Sequence, residues 1–147
     1  MSAVSVRAAG EGDEDFVLAL NAACTPAVGD MTREKYRQLR GWSYRVLISE
    51  AGGVPAGFMI LVRPGSAYPS DNYGWFEQTF GRHLYVDRIA VSDAARGIGV
   101  GRALYEHALG LAVAIHVGVV EVVDAGVKPG LDGGGDLGLV DVRPAVG

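Results

Sequence analysis

Apolar and polar residues alternate along the first third of the chain with the periods of strands and helices. The alternation in Val4–Ala8 predicts a short strand. Acidic residues at 13–15 favour a helix N-terminus and precede an apolar segment that ends at Cys24. A second amphipathic helix is predicted from Thr32 to Gly41. Two apolar runs then follow, at residues 44–49 and 56–62, and the glycines between them predict a hairpin.

Residues 63–82 are predicted to form a loop, because prolines and glycines interrupt every periodic run there. This segment is also rich in aromatic side chains, and a long aromatic loop usually covers something. Its aromatic residues are Tyr68, Tyr73, Trp75, Phe76 and Phe80.

The second half begins with a clear strand, Leu84–Val91. Its period of two predicts Leu84, Val86, Arg88 and Ala90 on one face and Tyr85, Asp87, Ile89 and Val91 on the other. Residues 102–116 are predicted to form a helix whose second half is apolar nearly all round and is therefore expected to be buried. An interior strand is predicted at residues 117–123.

Composition narrows the class of protein. The chain has 147 residues, 49% of them hydrophobic, which suits a single domain spanning residues 1–147. A net charge of −4 argues against binding to a nucleic-acid backbone, and the single Cys24 with three scattered histidines argues against a metal site. The most apolar stretch, residues 108–120, is shorter than the roughly 20 residues that a membrane span needs. We therefore expect a cytoplasmic protein without metal, membrane or nucleic-acid partners.

The most informative segment is the glycine-rich sequence Arg96-Gly97-Ile98-Gly99-Val100-Gly101 between a strand and a helix. Glycines let backbone N–H groups turn toward a ligand, and the N-terminus of a helix attracts anions, most often phosphate. Arg96 and Arg102 flank the segment and could pair with a diphosphate. The pattern therefore predicts a site for a phosphorylated ligand.

Two phosphate-binding motifs fit poorly. A P-loop requires Gly-Lys-Ser/Thr, which is absent from the chain. The dinucleotide motif requires a third glycine where Arg102 or Leu104 stands, although Glu121 and Asp124 follow at about the expected distance. Binding of a nicotinamide nucleotide remains the less favoured alternative.

The third motif fits. Arg-x-x-Gly-x-Gly, a few residues after a strand and at the start of a helix, resembles the acyl-CoA-binding motif of the GNAT N-acetyltransferase superfamily. Asn72-Tyr73-Gly74-Trp75-Phe76 and the strand LYVDRIAV are also similar to a subgroup of predicted bacterial GNAT proteins. The resemblance implies an α/β GNAT fold, in which helices flank a mixed, mostly antiparallel sheet. It also implies acetyl-CoA as co-substrate.

The resemblance implies two sets of cofactor-binding residues. Main-chain groups of Ile89, Ala90 and Val91 would bind the pantetheine arm. The pyrophosphate would lie against Arg96, Gly97, Ile98, Gly99, Val100, Gly101 and Arg102. A splay between this strand and the next would admit the cofactor and place residues 119–123 opposite Val91.

Direct attack of an amine on the thioester needs a base for the ammonium proton, a donor to the oxyanion and an acid for the thiolate. Asp87 is the best candidate for the base, and Tyr85 on the same predicted face could relay or donate a proton. The competing interpretation is that Asp87 forms a structural pair with Arg88 or Arg82. On the acceptor side, the candidates are Asn21, Cys24 and Asp30 at the turn between the first helices, and Tyr73, Trp75 and Phe76 as pocket walls.

The C-terminal end departs from the family. Residues 124–147 are rich in glycine and lack the aromatic residues and asparagine that normally complete the fold. We therefore expect an irregular or shortened end with one last short strand at 137–142, and an exposed edge there would favour a homodimer. The thiolate acid is therefore unassigned, and Tyr105 or water could take its place. The predicted function is N-acetylation of a primary amine on a small molecule or peptide, and the alternative is a CoA-binding GNAT-fold protein with little turnover.

Overall fold

One twisted sheet forms the centre of the molecule. A computed structural model describes residues 3–25, 28–80, 84–114, 119–122 and 138–141. Within these ranges the strands are β1 Val4–Ala8, β2 Ser43–Ala51, β3 Val54–Val62, β4 Leu84–Val91, β5 Val119–Val122 and β6 Gly138–Asp141. They lie side by side in chain order, and every neighbouring pair is antiparallel except β4 and β5, which are parallel. The predicted mixed, mostly antiparallel sheet is confirmed.

Helices cover both faces of the sheet. They are α1 Glu14–Ala23, α2 Arg33–Trp42, α3 Asp71–Phe80 and α4 Val100–Ala114. One buried cluster joins α1 and α2 to the sheet, and its members include Val17, Leu20, Tyr36, Leu39, Phe58 and Ile60. A second cluster joins α4 to the opposite face, through Leu104, Ala108, Ala112, Leu47, Met59 and Leu61. The prediction that helices flank the sheet is therefore confirmed.

The predicted hairpin forms between β2 and β3. Gly52 and Gly53 both have positive φ, at 59° and 80°, and Ala51 pairs with Val54 across the turn. A two-residue turn with positive φ at both positions matches the twist of the strands it joins, and glycine adopts that conformation without steric cost. The predicted start of α2 is also confirmed, because the Thr32 hydroxyl accepts a hydrogen bond of 3.1 Å from the Lys35 backbone N–H.

The prediction of a loop throughout residues 63–82 is wrong for α3. Ser70 starts this helix, since its Oγ accepts from the Tyr73 N–H at 3.3 Å and its carbonyl accepts from the Gly74 N–H at 2.8 Å. Tyr73 then anchors the helix in a buried cluster with Val62 and Tyr85. Burial of an aromatic anchor overrides the low helix propensity of the sequence around it.

A bulge in β4 changes which residues share a face of that strand, so the predicted faces are partly wrong. Ile60 of β3 lies opposite Arg88, whereas the next residue, Leu61, lies opposite Val86, so Asp87 is an extra residue in β4. The extra residue reverses the alternation after it. Leu84, Val86, Ile89 and Val91 lie on the α4 face, and Tyr85, Arg88 and Ala90 lie on the α1–α2 face. The expectation that Asp87 shares a face with Ile89 and Val91 is therefore wrong.

Helix α4 begins earlier and is less buried than predicted. It starts at Val100, inside the glycine-rich segment, and not at residue 102. Ala108 and Ala112 are fully buried against the sheet, but Val113 is 46% exposed. The expected burial of this apolar half is therefore met on one side only, because a single sheet face contacts one side of a helix.

The described part of the C-terminal end supplies β5 and β6. Val120 lies opposite Leu84 and Val122 opposite Val86, so this strand pairs with the start of β4 and does not lie opposite Val91. The predicted last strand is confirmed as β6, which pairs with β5. Residues 123–137 and 142–147 lie outside the described ranges, and the prediction of an irregular end stays a prediction there.

We expect Gly57→Ala to destabilise the fold and Gly41→Ala to stabilise it. A Cβ at Gly57 would lie 2.9 Å from Val100 Cγ1 and 3.0 Å from the Ala90 carbonyl oxygen. Overpacking of this kind costs about 1–3 kcal/mol. At Gly41, inside α2, a Cβ would meet nothing within 4 Å, and alanine should add about 0.5–1 kcal/mol. Urea unfolding of both variants tests this, and equal effects would contradict it.

We expect Asp13 to stabilise the fold in a pH-dependent way. Arg7 donates to both oxygens of its carboxylate, at 2.7 and 2.8 Å, and with the Gly10 N–H it holds the pKa of Asp13 below its ordinary value. A lowered pKa means that the contribution is present above the unfolded-state pKa, about 3.9, and is lost as pH falls through the lower folded-state pKa. The stability lost in Asp13→Asn should therefore disappear as pH falls below about 4. Unfolding curves measured from pH 7 to pH 2, with exposed Asp30→Asn as control, test this.

Candidate functional site

A cleft of about 450 Å³ lies between the end of β4 and the start of α4. We call it the glycine cleft. Its lining residues are Ile89, Val91, Ala95, Arg96, Gly97, Gly99, Val100, Gly101, Arg102 and Tyr105. The bulge at Asp87 matters here, because it turns the side chains of Ile89 and Val91 toward α4.

The backbone of the glycine-rich segment is shaped by two left-handed glycines. Gly97 and Gly99 have φ of 83° and 89°, where a Cβ would be strained. The Gly99 carbonyl accepts the N–H of Ala103 at 2.9 Å, so the helix begins directly after it. The N–H groups of the first helical turn have no partner within their helix and carry the positive end of its dipole. They give the cleft an anion-binding end.

Two arginines lie at this end of the cleft, and each forms a weak salt bridge on the surface. Arg96 Nε is 2.9 Å from Asp93 Oδ1, and Arg102 Nε is 2.9 Å from Glu106 Oε1. All four side chains are more than 60% exposed, and exposed pairs of this kind contribute about 1 kcal/mol or less. Either guanidinium can therefore exchange its carboxylate for a phosphate at little cost.

The fold brings together every residue predicted for the pyrophosphate except Ile98, which is 49% exposed and does not line the cleft.

Asp87 lies at the bulge with its carboxylate already hydrogen-bonded. Arg88 Nε donates to its Oδ2 at 2.8 Å, and the Tyr68 hydroxyl donates to its Oδ1. The side chains of Asp87 and Arg88 are each only 7% exposed. Burial, and then the neighbouring Asp87 carboxylate, raise the pKa of Tyr68 far above its ordinary value, so the phenol stays protonated and remains the donor.

The same pair is tied to the turn after α1. Arg88 Nη1 donates to Asn21 Oδ1 at 3.1 Å and to the Gly29 carbonyl at 2.9 Å. Asn21 in turn donates to the Gly29 carbonyl at 3.0 Å. The pair of Asp87 with Arg88, which the sequence offered as the interpretation competing with Asp87 as base, is present in the structure. Asn21, a candidate acceptor ligand from the sequence, instead orients the buried arginine.

The other candidates from the sequence are scattered. Tyr85 is buried edge-to-face against Tyr73, with ring centroids 5.4 Å apart. Tyr73 accepts from the Ser66 N–H and donates to the Arg63 carbonyl, each at 2.8 Å, so it supports the segment before α3. Trp75 is 41% exposed on α3. Tyr73 is therefore part of the buried core. The side chain of Phe76, the third predicted pocket wall, lies outside the described part of the structure, and the wall stays a prediction.

The residue that sequence reasoning missed is Tyr68. It lay in the aromatic segment before α3, but nothing local distinguished it from its neighbours there. Its hydroxyl reaches Asp87, and its ring lies 5.2 Å from that of Trp42. Only a signal that linked residues 68 and 87 could have found it.

A model of the acetyltransferase (GNAT) family matches residues 15–130, which is most of the chain. The chain belongs to this family. Membership supports acyl transfer from an acyl-CoA as its general chemistry. No match is found among curated protein sequences.

Solved GNAT structures share the fold. Ard1 from Thermoplasma volcanium superimposes with a TM-score of 0.63 at 18% identity, over 81% of this chain and 70% of that chain. The ribosomal-protein-S18-alanine N-acetyltransferase from Escherichia coli gives 0.61 at 16%, over 84% and 70%. The putative acetyltransferase yncA from Salmonella typhimurium, solved with acetyl-CoA, gives 0.55 at 24%, over 81% and 68%. These similarities confirm the predicted GNAT fold.

The described residues of this GNAT protein provide neither a membrane-spanning helix nor a cluster of metal ligands. None of their helices combines the length and apolar character needed to cross a bilayer. Nor do they contain a group of three or more His, Cys, Asp and Glu side chains placed to hold a metal ion.

We expect Asp87→Asn to destabilise the protein by about 3–5 kcal/mol, because it leaves the buried Arg88 guanidinium without its counter-charge. The matched control is Asp93→Asn, which breaks an exposed pair with Arg96 and should cost about 1 kcal/mol or less. Urea unfolding of the two variants measures the difference. Similar small losses in both would show that the buried pair is not needed for stability.

Proposed function

We propose that the protein transfers the acetyl group of acetyl-CoA to a primary amine of a small molecule or peptide. The observation that carries this proposal is the glycine cleft, where the left-handed glycines and the start of α4 face Ile89 and Val91 of β4. Acetyl-CoA bound to yncA, a protein of the same fold, supports the choice of acyl donor. The GNAT family match supports the choice of reaction.

The residues of the cleft fit an acyl-CoA. The first-turn N–H groups of α4, together with Arg96 and Arg102, match a pyrophosphate in charge and in donor number. A Cβ built at Gly97 or Gly99 would meet no described atom within 4 Å, so the loop borders open space. Main-chain groups of Ile89, Ala90 and Val91 would hold the pantetheine arm along β4. The bound donor would supply an activated thioester.

At the reacting carbon, one bond forms and one breaks. The neutral amine nitrogen attacks the thioester carbonyl carbon, a C–N bond forms and the C–S bond breaks. The nitrogen gives up one N–H proton as the amide forms, and the thiolate takes up one proton to leave as free CoA. The ammonium form of the acceptor must first lose a proton to a base. Asp87 keeps this role in the proposal. Its two hydrogen bonds use two of about four lone-pair positions on the carboxylate, which leaves room to accept a third proton donor.

Tyr105 is the proposed acid for the thiolate, with water as the alternative. It lies in the wall of the glycine cleft, one helical turn after Gly101. Tyr85, the other tyrosine predicted for proton transfer, lies in the buried aromatic cluster with Tyr73. Tyr105 is therefore preferred to Tyr85 as the acid for the thiolate.

Several finer expectations remain predictions. They are membership of a bacterial GNAT subgroup, a cytoplasmic location, a homodimer, and the absence of metal and nucleic-acid partners. The C-terminal segment bears on the homodimer, since β6 forms the edge of the sheet among the described strands.

Acetyl-CoA and free CoA should both raise the melting temperature, and NADH should not. A ligand at 100 times its Kd stabilises the folded state by about 2.7 kcal/mol.

Replacing both Arg96 and Arg102 with alanine should weaken acetyl-CoA binding about tenfold or more, because two charged contacts to phosphate are lost. The control is Arg45→Ala, an exposed arginine on β2 that lies over the Tyr44 ring.

Release of free thiol in the presence of an amine panel then separates the remaining alternatives. Amine-dependent release is the expected result. Stabilisation by both CoA species with no release from any amine would favour a CoA-binding protein with little turnover. Stabilisation by NADH alone would contradict the proposal and favour a dinucleotide site.

A further inference from the structure

A second hollow, of about 610 Å³, lies between α2 and the segment that leads into α3. We call it the α2 hollow. Its lining residues are Thr32, Glu34, Lys35, Gln38, Trp42, Tyr68, Pro69 and Ser70. The volume is within the range of small-molecule sites, about 300–1,000 Å³. Nothing in the chemistry described above uses it.

Two aromatic rings line one side of this hollow. The centroids of Trp42 and Tyr68 are 5.2 Å apart, with their planes inclined by 31°. Both side chains are half-buried, and both pack against the cluster of Val62, Tyr73 and Tyr85. The rings are therefore held in place from behind and offer a firm, apolar surface to a ligand.

Tyr68 connects the α2 hollow to the acyl-transfer site. Its ring lines the hollow, while its hydroxyl donates to Asp87 at the bulge of β4. Two residues further along β4, Ile89 lines the glycine cleft on the other face of the sheet. An amine bound against Tyr68 would thus lie on the opposite side of β4 from the glycine-rich loop, connected to the proposed base through the Tyr68 hydroxyl.

The charges around the hollow disfavour a polycation. Glu34 and Lys35 are adjacent on α2. Their opposite charges cancel, so the rim carries no excess negative charge. Two helices also begin here, α2 after Thr32 and α3 after Ser70, and the positive ends of their dipoles oppose an additional cation. A ligand whose body is uncharged and apolar suits this rim better.

A third hollow, of about 510 Å³ between α1 and α2, is a weaker candidate for an amine. Its lining carries three arginines, Arg33, Arg37 and Arg40, and three acids, Glu11, Glu14 and Asp15, so it has no excess negative charge to attract an ammonium group. Glu14 is already paired with Arg33 and Arg37, and Asp15 is paired with Arg33. Its polar groups thus serve to join the two helices.

We propose that the α2 hollow is the acceptor site, and that it accepts a monoamine with a flat, apolar body, such as an arylalkylamine. The inference rests on the proposed acetyl transfer and names its substrate class. Trp42 and Tyr68 hold the apolar body by stacking, and the amino group points toward Asp87.

Fluorescence tests binding without turnover. The chain has two tryptophans, so Trp75→Phe leaves Trp42 as the only one. Titration of this variant, with free CoA present, by 2-phenylethylamine should give a saturable change in emission. Ethylamine, which lacks the ring, should need a concentration at least tenfold higher, and spermidine should give no saturable change. No response to 2-phenylethylamine would overturn the assignment.

Kinetics test the same site by filling it. Gln38 is exposed on α2 and lines the hollow, so Gln38→Trp should occupy the space without disturbing the core. The KM for 2-phenylethylamine should rise at least tenfold while the KM for acetyl-CoA stays unchanged. The matched control is Gln78→Trp, the same change at an exposed glutamine of α3 outside the hollow, and it should behave like the parent.

The two proposals fail in different ways. Efficient acetylation of spermidine, or of any amine with equal KM in Gln38→Trp and Gln78→Trp, would overturn the α2 hollow as acceptor site and leave acetyl transfer intact. A protein that neither binds acetyl-CoA nor releases thiol would refute the proposed function, whereas the Trp42 titration would still report on the hollow.

Discussion

The buried pair of Asp87 and Arg88 is the interaction on which the site depends. Adjacent residues of a regular strand point to opposite faces, so these two side chains can meet only because Asp87 is an extra residue in β4. A buried guanidinium is costly unless its donors are satisfied, and Asp87, Asn21 and the Gly29 carbonyl satisfy three of them. The pair therefore requires the bulge, and the bulge turns Ile89 and Val91 toward the glycine cleft.

The position of α4 depends on a second constraint, the close approach of helix and sheet. Gly57 of β3 leaves room for Val100, and Gly101 lies close to Val91. With larger residues at these positions the first turn of α4 would move away from β4. The end of β4 and the N–H groups of the helix would then no longer face the same cleft. The glycines of this chain thus serve both the conformation of the loop and the distance at which it packs.

Tyr68 joins the bulge of β4 to the α2 hollow. Its hydroxyl satisfies Asp87, its ring packs on Trp42, and the backbone that carries it is held through Ser66 and Tyr73. A change at this residue would be felt at the bulge and in the α2 hollow together. This coupling is the structural basis for relating an acceptor in the hollow to chemistry at β4.

The sequence by itself determined the features that depend on local conformation. The hairpin turn at Gly52 and Gly53, the cap at Thr32 and the glycine-rich anion site follow from positive φ, side-chain capping and the helix dipole, which act over a few residues. Only the tertiary structure decided the bulge at Asp87, helix α3 and the α2 hollow. These depend on contacts between distant residues: Tyr68 is 19 positions from Asp87, and Asn21 is 67 from Arg88. Alternation along one strand carries no information about such partners, so it predicted the wrong face for the residues after the bulge.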